Sequence, residues 1–186
     1  KRNSGARPGD RLILGKPLGI GILGSAMKKG VLDAEGYRQM IETATQLNTI
    51  GSELALRKEV HALTDVTGFG LLGHLLEVCR GADLGATINA AKLPFLPAAI
   101  GFALQGIGPG AIARNLASFG DAVTFDVAVP DWQRHIMADA QTSGGLLAAV
   151  APESAEEVLS LFRVQGFAAA SAIGQLQAGA AQITVK

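Results

Sequence analysis

One cysteine, one tryptophan and one tyrosine stand among 186 residues. A lone Cys79 forms no internal disulfide, and without His or Cys beside it at ligand spacing it starts no zinc site. It lies in LLGHLLEVCR, whose helical pattern predicts a buried, inert thiol with no neighbouring base to activate it. Excess charge is also lacking. With 16 basic and 16 acidic residues and no block of one sign, neither a polyanion nor an anionic membrane is favoured as a partner. No apolar run approaches about eighteen residues, and no apolar segment follows the basic start KRNSGARPGD, so neither a membrane helix nor a signal peptide is expected and a cytoplasmic protein is. GxSxG is absent, no carboxylates pair as an acid and base couple, and His61, His74 and His135 lack HxH or HExxH spacing, so no complete catalytic set and no catalytic residue is assigned.

What is present is apolar and small. Gly numbers 24 and apolar residues make up 48%, which fits helices packed closely on a sheet. The length suffices for one domain. Strands are expected at RLILG (11–15), HALTDV (61–66), ATIN (86–89), TFDVAVP (124–130), LLAAV (146–150), AAASAIGQL and AQITVK. Helices are expected at GILGSAMKK, over 33–48 with Asp33 as cap, at 52–58, after Gly70, over 93–104, at PDWQRHIMADA and at PESAEEVLSLFRVQG. Strands and helices alternate irregularly, which predicts an α+β fold, a mixed β-sheet covered by helices. Residues 106–120, with Gly106, Gly108, Pro109 and Gly110, read as a loop ending in a short helix.

The segment TDVTGFGLLGH at 64–74 holds the most chemistry. Asp65 leaves an apolar strand, and Thr67, Gly68 and Gly70 open a helix. A carboxylate offers a hard cation one oxygen, while a glycine-spaced helix start offers phosphates backbone N–H groups. The same residues also suit plain capping and close packing, because Asp and Thr are ordinary helix caps. GIGILG at 19–24 satisfies GxGxxG, but Lys16 and Pro17 precede it and a helical stretch follows where a dinucleotide fold needs a second strand. Lys16 is either a mobile charge for a phosphate or a solvated flank. QTSGG at 141–145 is either a small anion nest or a turn, and Arg114 either clamps an anion or joins a surface ion pair. His74 lies on the face of Gly70 and either faces a ligand at the helix start or, its plainest role, bonds a carbonyl.

In order along the chain, KPLGIGI (16–22), ALTDVTGFGLLGHLLE (62–77), RNLASFG (114–120) and AQTSGGLLAAV (140–150) resemble the selenophosphate synthetase family, also called selenide, water dikinase, within the aminoimidazole ribonucleotide synthetase superfamily. That resemblance implies the fold of the superfamily's C-terminal domain and a parent enzyme making selenophosphate, AMP and phosphate from ATP, selenide and water. It implies Asp65 as a ligand of magnesium (Mg2+), the one site residue that carries over by motif, while Thr67, Gly68 and Gly70 are expected toward the nucleotide from the glycine-spaced helix start itself. It also implies a homodimer and a preceding domain that carries the catalytic Cys or selenocysteine, its partner Lys and the other metal-binding aspartates. The family often has DPQTSGG where this chain has DAQTSGG, Ala140 replacing proline.

Residues 1–10, beginning at Lys1 without Met, are accordingly expected as a linker from a missing N-terminal domain, and 11–186 as the C-terminal domain. Alone, the chain is expected to be inactive, its task being to complete the Mg-ATP site. The alternatives are a domain of a related ATP-dependent enzyme, of aminoimidazole ribonucleotide synthetase or thiamine phosphate kinase type, and a non-catalytic protein-binding module.

Overall fold

The computed structural model describes residues 1–186. Its chain runs β1 (Arg11–Leu14), α1 (Ile20–Lys28), α2 (Ala34–Thr45), α3 (Ile50–Leu56), β2 (Val60–Asp65), α4 (Gly70–Ala82) and β3 (Leu84–Ile88), and continues with α5 (Pro97–Leu104), α6 (Ala111–Phe119), β4 (Val123–Phe125), α7 (Asp131–Met137), β5 (Leu146–Val150), α8 (Ala155–Val164), β6 (Ser171–Ala178) and β7 (Ile183–Val185). The strands form one sheet in the order β2-β5-β1-β6-β3-β7-β4. β7 pairs parallel with β3 and β4, and the other pairings are antiparallel, so the sheet is mixed and the fold is α+β.

The apolar run LLAAV explains the layering. A strand covered on one face alternates, whereas one covered on both reads as continuous apolar sequence. Every residue of β5 is buried. Leu147 and Ala149 point into the larger core with Leu12 and Leu14, while Leu146, Ala148 and Val150 point the other way with Ile13. That second core is small, seated by α3 and α8 through Ile50, Leu54, Val158 and Phe162. On the first face lies α4, buried at every position from Gly70 to Cys79 except Glu77. Helices α1, α5, α6 and α7 add to the same core.

Local chemistry fixes several ends. The Asp33 Oδ1 accepts the Gly36 N–H at 2.8 Å and starts α2 as expected. The strand expected over 124–130 stops at Phe125, because Asp126 Oδ1 accepts from the Ala128 N–H at 2.8 Å and folds the backbone into a turn. The helix expected from Leu93 begins at Pro97, with residues 90–92 forming one short 3-10 turn. Residues 1–10 are docked against the domain: Ala6 is buried, and Asp10 takes the Arg7 N–H on one carboxylate oxygen and His61 Nδ1 on the other, both at 2.8 Å.

Phe162 is fully buried, packs edge-on against Phe167 with centroids 5.7 Å apart, and is the largest wholly buried side chain of the smaller core. Phe162→Ala should therefore cost about 3–5 kcal/mol in urea unfolding; a loss near zero would show that the second face contributes little to the fold.

Candidate functional site

Three of the four motifs meet where β1, β2 and β5 share one end, and the fourth, on α6, is pinned to them. Asp65 closes β2 opposite Leu146, the first residue of β5, and the Gly15 N–H donates to the Leu146 carbonyl at 2.9 Å. The Val66 N–H donates to the Gly145 carbonyl at 2.9 Å, drawing the QTSGG turn against the residue after Asp65. A methyl group on Gly144 would collide with the Val66 carbonyl oxygen, and one on Gly145 with the Lys16 backbone nitrogen. These two glycines are required by close approach of three chain segments.

Lys16 fits neither of its expected roles. It is 1% exposed, and its Nζ donates to the carbonyls of Gln46 and Ser143 at 2.7 Å and of Thr43 at 3.2 Å. An ammonium has three protons, and here each finds an oxygen, two of them at the C-terminal end of α2, where the helix dipole favours a cation. Burial pushes its pKa down. Lys16 is an internal tie, out of reach of a phosphate.

The start of α1, where GIGILG lies, is closed from within. Gln141 Oε1 accepts from the N–H groups of Gly19 and Ile20 at 3.1 and 3.3 Å, and Asp139 Oδ2 accepts from Ile22 N–H at 3.1 Å. Gln141 Nε2 in turn donates to Asp139 at its carbonyl and Oδ2. The orphan donors of this helix are thus used by the protein itself, leaving no seat for a dinucleotide phosphate. The DAQTSGG segment takes its rigidity from these bonds and from Asn48, whose Nδ2 donates to the Gly144 carbonyl at 2.8 Å, in place of the ring a proline at Ala140 would bring.

At α4 the arrangement is opposite. No side chain caps it. The Asp65 carboxylate is exposed, with neither hydrogen bond nor ion pair, and the Thr67 hydroxyl turns to His74 Nε2 at 3.0 Å. Capping by Asp65 or Thr67 is therefore ruled out, and His74 bonds a hydroxyl where a carbonyl was expected. Gly68 is exposed and open around its Cα. Gly70 differs: its N–H donates to the Thr67 carbonyl at 3.0 Å, its φ is +68°, and a methyl there would lie 2.8 Å from the Ala138 carbonyl carbon. Packing on α7 accounts for Gly70, and its N–H is unavailable to a phosphate.

Asn115 brings in the fourth motif. Buried on α6, it donates from Nδ2 to the Gly68 carbonyl at 3.0 Å and the Ala138 carbonyl at 2.9 Å, pinning the loop after Asp65 to the end of α7. The sequence assigns no role to Asn115 or Asp139, and it places Gln141 only in the QTSGG turn, not as the cap of α1. For Asn115 a signal existed, since it shares the buried face of α6 with Ile112 and Phe119. Arg114 is exposed and makes no ion pair, and His61 is committed to Asp10. Cys79 is fully buried, which pushes its thiol up to about 11. No three His, Cys, Asp or Glu side chains converge to hold a metal ion.

Asp139 is 0% exposed, its Oδ1 has no partner, and burial raises its carboxyl from 3.8 to about 7 against the opposing pull of the Ile22 N–H and Gln141. Below about pH 4 folded and unfolded chains both hold this proton. As pH rises to about 7 only the unfolded chain has released it, so stability falls across that window and levels off above it. Asp139→Asn should flatten this fall, so that the variant gains on the parent between pH 4 and 7 in denaturant unfolding; a pH-independent difference would refute it.

Residues 7–186 match the family described as AIR synthase related protein, C-terminal domain. Over 185 residues, all of this chain, the sequence is 52% identical to the selenide, water dikinases of Pseudomonas straminea and of Dechloromonas aromatica strain RCB, covering 52% and 53% of those proteins. The chain thus spans about half the length of the curated relatives it matches. Among solved structures, thiamine-monophosphate kinase from Stenotrophomonas maltophilia K279a superposes with a TM-score of 0.68 at 17% identity, over 100% of this chain and 52% of that one. Hydrogenase maturation protein HypE in complex with ATP gives 0.67 at 17% identity, over 98% and 49%. These likenesses bear on the fold alone. The chain belongs to the AIR synthase related family, as its C-terminal domain.

Proposed function

We propose that this chain is the C-terminal part of a selenide, water dikinase, joined to a preceding domain, and that it completes the Mg-ATP site from which selenophosphate, AMP and phosphate are made. The identity of 52% along the whole chain to proteins bearing that name supports the chemistry. The observation that carries the site is Asp65, an exposed carboxylate without a partner at the end of a rigid, paired strand.

That geometry fits magnesium as a shared ion. A hard divalent cation needs several oxygen ligands, and one carboxylate with no acidic cluster around it supplies a corner of such a shell. Magnesium, when bound, would neutralise phosphate charge during transfer. The chain's own part is to hold Asp65 in place through β2 and β5 and to leave the exposed Gly68 backbone open beside it toward a phosphate. A homodimeric, cytoplasmic parent belongs to the same reading. A parent of thiamine phosphate kinase type rests only on a fold likeness at 17% identity. A module that only packs against partners leaves the free carboxylate of Asp65 without a task.

Two measurements bear on this reading. The isolated chain should give no selenide-dependent AMP, and robust turnover without a further domain would overturn it. In the full-length protein, Asp65→Asn keeps shape but removes charge, so turnover at limiting magnesium should fall by about 100-fold or more, as for loss of a group that stabilises transferring phosphoryl charge, with the thermal unfolding midpoint unchanged. Wild-type turnover in that variant would remove Asp65 from the site.

A further inference from the structure

Behind Thr67 lies a buried side chain to which the proposed function gives no task, His74. Its residue is 8% exposed, and it stands in the first turns of α4. Nε2 is 3.0 Å from the Thr67 hydroxyl, and Nδ1 is 3.5 Å from a carboxylate oxygen of Glu77. A neutral imidazole carries one N–H, and the anionic oxygen of Glu77 favours it on Nδ1. Nε2 is then the acceptor, and the Thr67 O–H is the donor.

The consequence falls on Thr67. A hydroxyl has one proton and two acceptor positions, and the bond to His74 is the only one Thr67 Oγ1 makes. With its proton committed inward, both lone pairs stay free. Beyond the end of β2, Val66 donates its N–H to Gly145 and is fully buried, while Asp65 is exposed and Thr67 half-buried. That alternation of burial sends Asp65 and Thr67 to the same side. The Thr67 backbone is locked, its carbonyl accepting from the N–H groups of Gly70 and Gln141 at 3.0 Å each. The Phe69 ring, its centroid 6.0 Å from that of His74, flanks the imidazole.

We infer that His74 is a positioning residue which draws the Thr67 proton inward, so that the Thr67 hydroxyl oxygen joins the Asp65 carboxylate as a second oxygen ligand for the divalent cation. This rests on the reading of Asp65 given above. With the proton on Nε2 instead, Thr67 would accept from the ring with one lone pair, and its own proton would compete with a cation for the outer side, leaving a poorer ligand. Glu77 thus acts at one remove on the polarity of the hydroxyl, as a carboxylate behind a histidine sets the tautomer in metal sites.

Two readouts test this without relying on activity. In the 186-residue chain labelled with nitrogen-15 histidine, NMR should place the His74 ring proton on Nδ1 and leave Nε2 bare. In the full-length protein with saturating ATP, manganese affinity measured by the EPR signal of free Mn2+ should drop about tenfold in His74→Leu. His74→Gln, whose amide oxygen can accept near the Nε2 position, should recover most of it. A proton on Nε2 in the parent chain, wild-type affinity in His74→Leu, or equal loss in both variants would overturn the inference. Asp65→Asn is run alongside: unchanged manganese affinity there brings down the reading of Asp65 itself, while loss there with no effect at His74 brings down only the positioning role.

Discussion

A single buried ammonium organises the end of the sheet that carries Asp65. Lys16 sits where water cannot reach it, and an unpaired charge there would be strongly destabilising, by several kcal/mol. Its three protons therefore demand three oxygens, and the fold supplies carbonyls from Thr43, Gln46 and Ser143. Meeting that demand fixes the C-terminal end of α2 relative to the QTSGG turn. The turn, so held, leaves room only for glycine at 144 and 145, and through Gly145 it binds the backbone of Val66. Asp65 is thus aimed by a chain of contacts that begins at a residue with no access to any ligand.

Two helices start near this end, and they are treated differently. The donors of α1 are taken by Gln141 and Asp139, side chains that are nearly or wholly buried. Those of α4 receive no side-chain cap, although Asp65 and Thr67 are the residue types that ordinarily provide one. Thr67 instead gives its hydroxyl to His74, and Asn115 grips the Gly68 carbonyl from behind. The loop is braced on its inner side and left free on its outer side. That asymmetry is what a ligand-facing surface requires, since support must come from groups the ligand does not displace.

Features set by local pattern were legible in the sequence. LLAAV reads as a strand, Asp33 as the cap of a helix, and Asp65 as a carboxylate at a strand end, because each depends on neighbours a few residues away. Lys16 was not legible as a buried tie, since its Ser143 partner lies 127 residues on. Asp139 reaches Ile22 across 117 residues, and Asn115 reaches Gly68 across 47. No window of periodicity contains both ends of such a bond. GIGILG is set aside in the sequence by its flanking residues, but the groups that occupy its N–H donors, on Gln141 and Asp139, lie more than a hundred residues on and are not legible there. TFDVAVP failed locally, where the short side chain of Asp126 offered the backbone a turn in competition with the sheet.

On the proposed reading, the sparseness of the acidic groups here has a physical consequence. A domain that gathered several carboxylates around Asp65 would hold a divalent ion by itself, or would pay in mutual repulsion for their closeness whenever the ion was absent. With one carboxylate, and one hydroxyl turned lone pairs outward, this domain has little attraction for a bare cation. Affinity then arises only when the phosphates of the nucleotide and the oxygens of another domain contribute as well. Metal, nucleotide and domain contact become one coupled equilibrium, so that a charged phosphoryl group meets its metal only in a closed site from which water is displaced. The rigid strand pair behind Asp65 serves that coupling: a ligand that arrives already aimed loses less freedom when the shell closes, and more of the binding energy remains for holding the halves together.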